Sequence, residues 1–471
     1  MSKKLITTIL TGVVFMSNMH IATLPVKAAN NSDLSVPLEN IVYVSPNGNA
    51  ENADGTIDDP FSTVEAARDY LRTKDIGKDS RGIIYLREGT YHVTNSISLT
   101  SEDSYVTYAA YKGESVEITG SATLENGKFK KLSEVSGEKY SSQTRLPSGV
   151  ADKVYVYDLG AAGIPVGDVY KNGFNWTKQP PQPELIVNGE LQILARYPNN
   201  GTITKSHLEI PNKGGVPRDY FFDKTDYSKT YEEMLAMNGP VFCIKNLPDS
   251  AHIWAGAYDY DNVYSAVNGD MPAVNPLNDN TKYETDGWLS GYFANEYGND
   301  NVQMYSVRLH TDGKYYIYCK YPSLYGVSAN SLKVSAINLL CELDSAGEYY
   351  IDRYNDNNVL YYYPQNGVID NQSITLNAFD KPLVTMENAE GIQISGIRFT
   401  GTTNSGITMT DCELCTISGC ELYNISMDAI KIGDNNGMIT ADSGYDTFGG
   451  GHNNTVANCV IHDMGHGGVY M

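Results

Sequence analysis

Acidic residues gather near the C-terminal end of this 471-residue sequence at a spacing that suits paired-carboxylate chemistry. Asp411 and Asp434 differ by one period of a 23-residue repeat, so we expect them on adjacent coils, about 5 Å apart. Asp428 flanks the same strand as Asp434, and Asp463 belongs to the next coil. Two carboxyl groups about 5 Å apart, or about 6.5–9.5 Å apart, can cleave a glycosidic bond with retention or inversion, respectively. These four aspartates are the candidate catalytic residues.

Structural roles would explain the same aspartates. Aspartate at a turn often hydrogen-bonds to the neighbouring backbone, which fits Asp411 and Asp463. Asp428 and Asp434 lie on either side of Lys431, so a surface ion pair explains them equally well. The sequence leaves both interpretations open.

Five residues near the aspartates are candidates for binding the substrate. They belong to the last two coils or to a long loop at 437–452. Insertions in a regular repeat tend to line its binding face. The candidates are Lys431, Tyr470, Asp446, His452 and His462.

The elements that must position these residues repeat along the chain. Segments 383–386, 406–409, 429–432 and 468–471 resemble one another at offsets of 23, 23 and 39 residues. A second family of strands, at 392–399, 415–422 and 455–461, repeats with the last two of these offsets. A unit this small cannot bury its own apolar residues, so the two families predict stacked coils of a parallel β-solenoid.

Alternation along the strands predicts which side chains face the interior. The expected inward row is Val384, Ile407, Ile430 and Val469, with Met386, Met409, Ile432 and Met471 two residues further on. The outward row between them is Thr385, Thr408, Lys431 and Tyr470.

The cysteines are interpreted as small apolar core residues. Cys420 and Cys459 follow Ile397 in an inward row, which favours burial. Cys412 and Cys415 form a C-x-x-C without a second such pair, a weak signal for zinc or redox chemistry. No metal site is predicted.

The rest of the chain divides into regions of different character. Residues 1–28 have the basic, apolar and small-residue pattern of a signal peptide, which predicts a secreted protein without membrane insertion. Residues 29–125 are expected to form an N-terminal cap with a helix near 64–73, and the first coils. Residues 126–380 lose the period and predict an inserted all-β domain of antiparallel sandwich type. Residues 381–471 hold the remaining coils, which we expect to be incomplete at the C-terminus.

The formal charge of −22 restricts the partners. A chain this acidic repels nucleic acid and anionic membrane surfaces. It also disfavours a strongly anionic polysaccharide unless calcium mediates binding, and calcium is the one cofactor left open. A monomer acting on a polysaccharide or oligosaccharide is expected.

Several segments resemble a known family. They are 42–48, 59–61, 65–69, 89–91, 184–189, 195–199 and 342–352. Together they are similar to secreted right-handed parallel β-helix proteins of the pectin-lyase-like fold. Within these, they look most like the glycoside hydrolase family that includes α-L-fucosidases and xylanases.

The resemblance implies a right-handed β-helix and hydrolysis of a plant or host glycan, but it identifies no catalytic residue here. Further coils beyond Met471 are the alternative place for the catalytic pair. A polysaccharide lyase with Lys431 or an arginine as base is a second hypothesis. A non-catalytic glycan-binding surface protein is the third.

Overall fold

The computed structural model describes residues 36–49, 52–169, 182–207, 241–244, 247–255, 280–309, 315–320, 323, 326–328, 330–433 and 449–471. The predicted signal peptide at 1–28 lies outside these ranges. The described chain is mostly β-strand, arranged in three parallel sheets and three further sheets of mainly antiparallel strands. None of the described helices is both long and apolar enough to cross a membrane.

The parallel strands form an all-β, β-helix-like solenoid. Sheet 1 contains Ile41–Asn49, Gly82–Leu86, Val106–Ala110, Gln393–Ser395, Thr416–Ser418 and Thr455–Ala457. Sheet 2 contains Gly89–His92, Val116–Thr119, Arg398–Thr402, Glu421–Ile425 and Val460–Met464. Sheet 3 contains Ile97–Leu99, Val384–Glu387, Ile407–Thr410, Ile430–Ile432 and Val469–Tyr470. From Gly82–Leu86 onward, successive strands of the solenoid visit the three sheets in turn, so each coil stacks on the one before it.

The predicted register of sheet 3 is confirmed. Val384 pairs with Ile407, Ile407 with Ile430, and Ile430 with Val469. The first three side chains are at most 3% exposed, whereas Val469 in the last described coil is 41% exposed. The outward row is also in register, because Thr408 pairs with Lys431 and Lys431 with Tyr470.

The predicted burial of the cysteines is likewise confirmed at three positions. Cys412, Cys415 and Cys420 are fully buried and belong to the same apolar core as the inward row. Cys459 packs against that core but is only partly buried.

The coils turn at residues with a left-handed backbone. Asn388 and Asp411 follow equivalent strands of sheet 3 and have φ values of 51° each. Gly401, Asn424 and Asp463 occupy equivalent positions in sheet 2, with φ values of 82°, 50° and 56°. Glycine, asparagine and aspartate tolerate this conformation better than other residues. The backbone alone therefore accounts for the residue type at Asp411 and Asp463.

The described α-helix, Val64–Leu71, begins after Thr63, whose side chain accepts a hydrogen bond from Ala66 N. It buries Val64, Ala67 and Leu71 in the solenoid core. Short 3-10 helices occur at Leu38–Asn40, Ser101–Asp103, Tyr111–Gly113, Asn126–Lys128, Leu132–Glu134, Glu138–Arg145, Ala151–Lys153, Lys205–His207, Asp249–Ile253, Leu340–Glu342 and Tyr354–Asp356.

An inserted region separates two consecutive strands of the solenoid. It leaves after the sheet 2 strand Val116–Thr119 and returns before the sheet 3 strand Val384–Glu387. Its first and last strands, Ser121–Thr123 and Ile374–Asn377, pair with each other antiparallel. The four-stranded sheet that contains them also holds Glu184–Val187 and Glu190–Leu191.

Two larger sheets build the rest of this insert. The five-stranded sheet contains Lys130–Lys131, Tyr155–Asp158, Ile193–Leu194, Glu348–Asp352 and Val359–Tyr362. The seven-stranded sheet contains Arg196–Tyr197, Ile203–Thr204, Val241–Ile244, Trp288–Tyr292, Asn299–Leu309, Tyr315–Cys319 and Lys333–Ile337. These sheets enclose apolar clusters of their own, separate from the solenoid core.

Candidate functional site

The turn at residues 426–429, between Glu421–Ile425 of sheet 2 and Ile430–Ile432 of sheet 3, brings several candidate residues together. Asp428 is 2% exposed, and its Oδ1 lies 2.8 Å from Nδ1 of His466 on the next coil. The His466 ring packs at 5.9 Å from the ring of Tyr470, which pairs in register with Lys431. Asp428, Lys431 and Tyr470 therefore form one neighbourhood with His466.

The Asp428–His466 contact has an electrostatic consequence. The hydrogen bond that His466 donates to Asp428 raises the pKa of His466, although burial and the nearby charge of Lys431 oppose the shift. A protonated imidazole gives Asp428 a charge-assisted hydrogen bond, about twice as strong as a neutral one. When His466 is protonated, it is therefore a cationic partner for Asp428.

The insert contributes a second carboxyl group to the same turn. Glu184 Oε2 accepts a hydrogen bond from the hydroxyl of Ser426, two residues before Asp428. Asn377, from the strand beside Glu184, donates to the carbonyl of Asn424 at 3.0 Å. These bonds attach the four-stranded sheet of the insert to the end of sheet 2.

Glu184 and Asp428 differ in their surroundings. Burial raises the pKa of Glu184, and hydrogen bonds from Ser426 and Asn377 offset part of that rise. Glu184 has a hydroxyl and an amide as partners, whereas Asp428 has an imidazole. Two carboxyl groups in such unequal environments can divide the roles of proton donor and ionised base or nucleophile.

The outer face of sheet 2 carries a separate charged cluster. Arg398 lies between two carboxylates on neighbouring coils, 3.2 Å from Glu117 and 3.0 Å from Glu421. Its guanidinium also donates to the hydroxyl of Tyr423 at 2.6 Å. Burial alone would lower the pKa of Arg398, but Tyr423, Glu117 and Glu421 raise it. Arg398 is therefore held as a cation and is unsuited to act as a base.

His462 and Asp463 belong to this cluster of sheet 2, not to the turn at 426–429. His462 Nε2 lies 3.3 Å from Glu421, and Nδ1 lies 2.6 Å from Asp463. The imidazole also stacks on Tyr423 with ring centres 5.5 Å apart. Burial alone would lower the pKa of His462, but the contacts with Asp463 and Glu421 raise it.

Asp411 and His452 lie in a third place, on the turns that lead from sheet 3 back to sheet 1. The Asp411 N–H donates to the carbonyl of Gly449, and His452 Nδ1 lies 3.3 Å from Glu413. Asp434 and Asp446 lie outside the described residues, and with them the predicted Asp411–Asp434 pair. Across the described ranges, no group of three or more His, Cys, Asp or Glu side chains could hold a metal ion.

Sequence reasoning missed part of this arrangement. Arg398 and Glu421 are one 23-residue period apart, so the repeat could have placed them side by side. Glu184 carries no such signal, because it meets Ser426 from 242 residues away in the sequence.

Of the comparisons with known proteins, the likeness to one solved structure bears on the fold. No protein-family model matches the chain. A segment of 83 residues, 17% of the chain, is 40% identical to the pectate lyase PEL9 of Emericella nidulans and spans 18% of that lyase. A solved structure described as a glycoside hydrolase aligns over 90% of this chain and 73% of its own, with a TM-score of 0.51 and 16% identity. The structure of XylC with xylose aligns with a TM-score of 0.33 and 10% identity, over 90% of this chain and 54% of its own. The likeness to the glycoside hydrolase shows that the chain shares its all-β fold.

Proposed function

We propose that this chain is a secreted, carbohydrate-active protein that hydrolyses glycosidic bonds with two carboxyl groups at the turn 426–429. The observation that carries the proposal is that one turn between solenoid and insert holds both carboxyl groups, because Asp428 contacts His466 and Glu184 contacts Ser426, two residues before Asp428. The similarity of one segment to a pectate lyase, and of the fold to a glycoside hydrolase, supports a polysaccharide or oligosaccharide as substrate.

Each residue has a defined role in this proposal. Glu184, whose pKa is raised by burial, donates a proton to the leaving oxygen. Asp428 attacks the sugar or activates a water, while His466 balances its charge. Lys431 and Tyr470, outward on the adjoining strands, hold the sugar hydroxyls and ring.

The same proposal includes two features of the solenoid. We infer that it is right-handed, as the connection between parallel strands nearly always is. We also infer that helix Val64–Leu71 caps its N-terminal end, because Arg68 donates at 2.8 Å to the carbonyl of Ser98 on the first strand of sheet 3.

Matched substitutions test the assignment. Asp428→Asn and Glu184→Gln should each lower turnover of a glycan that the parent cleaves by about 10²-fold or more, at a temperature where both variants are still folded. Asp411→Asn is the control on the neighbouring coil, where an asparagine already occupies the equivalent position at 388. Asp434→Asn tests the aspartate that the sequence analysis pairs with Asp411. Full activity of the first two variants would refute the proposed pair.

A polysaccharide lyase is the second candidate, favoured by the segment similar to a pectate lyase. A lyase would use Lys431 as base, because carboxylates hold Arg398 as a cation. Ultraviolet absorbance of unsaturated products, lost in Lys431→Met, would favour elimination. Reducing ends without that absorbance would favour hydrolysis, and glycan binding without either product would indicate a non-catalytic protein.

A further inference from the structure

A pocket of about 390 Å³ lies within the insert, and its lining residues are distinct from those of the turn 426–429. Its volume falls in the range of about 300–1,000 Å³ that is usual for small-molecule sites. Apolar side chains, among them prolines, form part of its wall. The polar or charged lining residues are Arg145, Asn199, Ser250, Glu342 and Asp344, with Tyr197 beside them.

Glu342 is a buried carboxylate held in a fixed position at this pocket. It is 4% exposed, and its Oε1 accepts a hydrogen bond from the Trp254 indole at 2.6 Å and another from Ser250. All the hydrogen bonds that the Glu342 carboxylate accepts from described residues go to Oε1. Oε2 therefore remains as the acceptor for a ligand.

Two exposed residues form a second polar group at the pocket. Asn199 Nδ2 donates to Asp344 Oδ1 at 2.7 Å. The Asp344 N–H donates to Glu348, which fixes the backbone beneath its side chain. The pocket is thus bordered by the Glu342 carboxylate and by the hydrogen-bonded pair of Asp344 and Asn199.

The charge of the pocket restricts its ligand. Arg145 is 4% exposed and is neutralised by the buried carboxylate of Glu284. Within the described fold, Arg145 Nε has no acceptor. Burial raises the pKa of Glu342 to about 6, so this group is still mostly ionised at pH 7. Glu342 and Asp344 leave the pocket net negative, which repels anions.

We propose that this pocket is a binding site for a neutral sugar unit, separate from the catalytic turn. Its apolar wall can cover a face of a sugar ring, and Glu342 and Asp344 can each accept hydrogen bonds from sugar hydroxyls. The choice of a sugar rests on the proposed carbohydrate activity, whereas the site itself rests on the geometry. Uronic acids are excluded by the charge of the pocket.

The test uses the full chain carrying Asp428→Asn, so that the ligand is not cleaved. Calorimetry measures binding of xylobiose and cellobiose as neutral probes and of digalacturonate as the anionic one. Adding Asp344→Ala or Glu342→Gln should weaken the binding of a neutral probe about tenfold or more, because each removes a charged acceptor. Asp370→Ala, an exposed aspartate of the insert outside the pocket, is the matched control and should leave binding unchanged.

A second readout reports on the pocket itself. The chain has three tryptophans, and the indole N–H of Trp254 bonds to Glu342, so its NMR signal should shift when the neutral probe binds. Any one of four results would overturn the inference. They are an unshifted indole signal, unweakened binding of the neutral probes by the pocket variants, tighter binding of digalacturonate than of the neutral probes, or no binding of either neutral probe. Full hydrolytic activity of Asp428→Asn would count against the proposed catalytic pair and leave the pocket standing.

Discussion

Ile430 offers the sharpest test of the solenoid register. Its side chain is fully buried between Ile407 and Val469 on neighbouring coils. Replacing it with aspartate removes about 2–3 kcal/mol of apolar burial and buries an unpaired polar group at about 1–3 kcal/mol. Keeping that carboxyl protonated at pH 7 costs about 4 kcal/mol more, given an ordinary pKa near 3.9. The total of about 7–10 kcal/mol is comparable with the whole stability of a typical domain.

The prediction is that Ile430→Asp abolishes soluble folded protein at pH 7. Because the buried carboxyl has a raised pKa in the folded state, lowering the pH to 5 should recover about 2.5–3 kcal/mol of stability. Soluble yield and thermal unfolding followed by circular dichroism measure both effects.

Two controls bracket the result. Thr408→Asp introduces the same side chain on the outward face beside Lys431 and should change stability by about 0.5 kcal/mol at most. Ile430→Val removes one methylene and should cost about 0.5–1.5 kcal/mol. Native-like melting of Ile430→Asp at pH 7 would refute the inward assignment of this row.

Further predictions concern the charged groups. Asp428→Asn should lower the pKa of His466 toward its ordinary value of about 6.5, as measured by NMR titration. The Asp428–His466 pair should stabilise the wild type fully below about pH 6.5 and lose this effect as the pH rises through the raised pKa of His466; an unchanged titration would refute the contact. Arg398→Met should lower stability by about 1–2 kcal/mol, because Glu117 and Glu421 lose their shared cation. Adding Glu117→Gln and Glu421→Gln should restore most of that loss in denaturant unfolding, and no recovery would contradict it.

The repeat predicted much of the solenoid because its physical basis is local. Side chains of a strand alternate between two faces, and a 23-residue offset places equivalent residues on adjacent coils. Val384, Ile407 and Ile430 could therefore be assigned to the interior from the sequence, and the structure confirms that they are buried.

The candidate site was less accessible to sequence reasoning. From the sequence, Asp428 could be a surface ion-pair partner of Lys431. Its burial and its hydrogen bond with His466 depend on how turns of different coils pack, which the sequence pattern does not show. Glu184 depends on the docking of the insert, which no local period encodes. Asp411 and Asp463 are candidate catalytic residues in the sequence, but their left-handed backbone explains the presence of aspartate equally well.

The place of the insert has a consequence for the order of folding. The sheet 1 strand Val106–Ala110 pairs directly with Gln393–Ser395, so residues 286 apart must meet before the next coil can form. The connection from Thr119 to Val384 spans residues 120–383, whereas the same step one coil later, from Thr402 to Ile407, spans 403–406. Closing the longer loop from an unstructured chain costs about 4 kcal/mol more by logarithmic scaling.

The pairing of Ser121–Thr123 with Ile374–Asn377 removes most of that difference, because it brings the two ends of the insert together. A folded insert then connects the two solenoid strands at about the same loop-closure cost as a short turn. We therefore expect the insert to form first during refolding and the later coils to be added in sequence from Val384 onward.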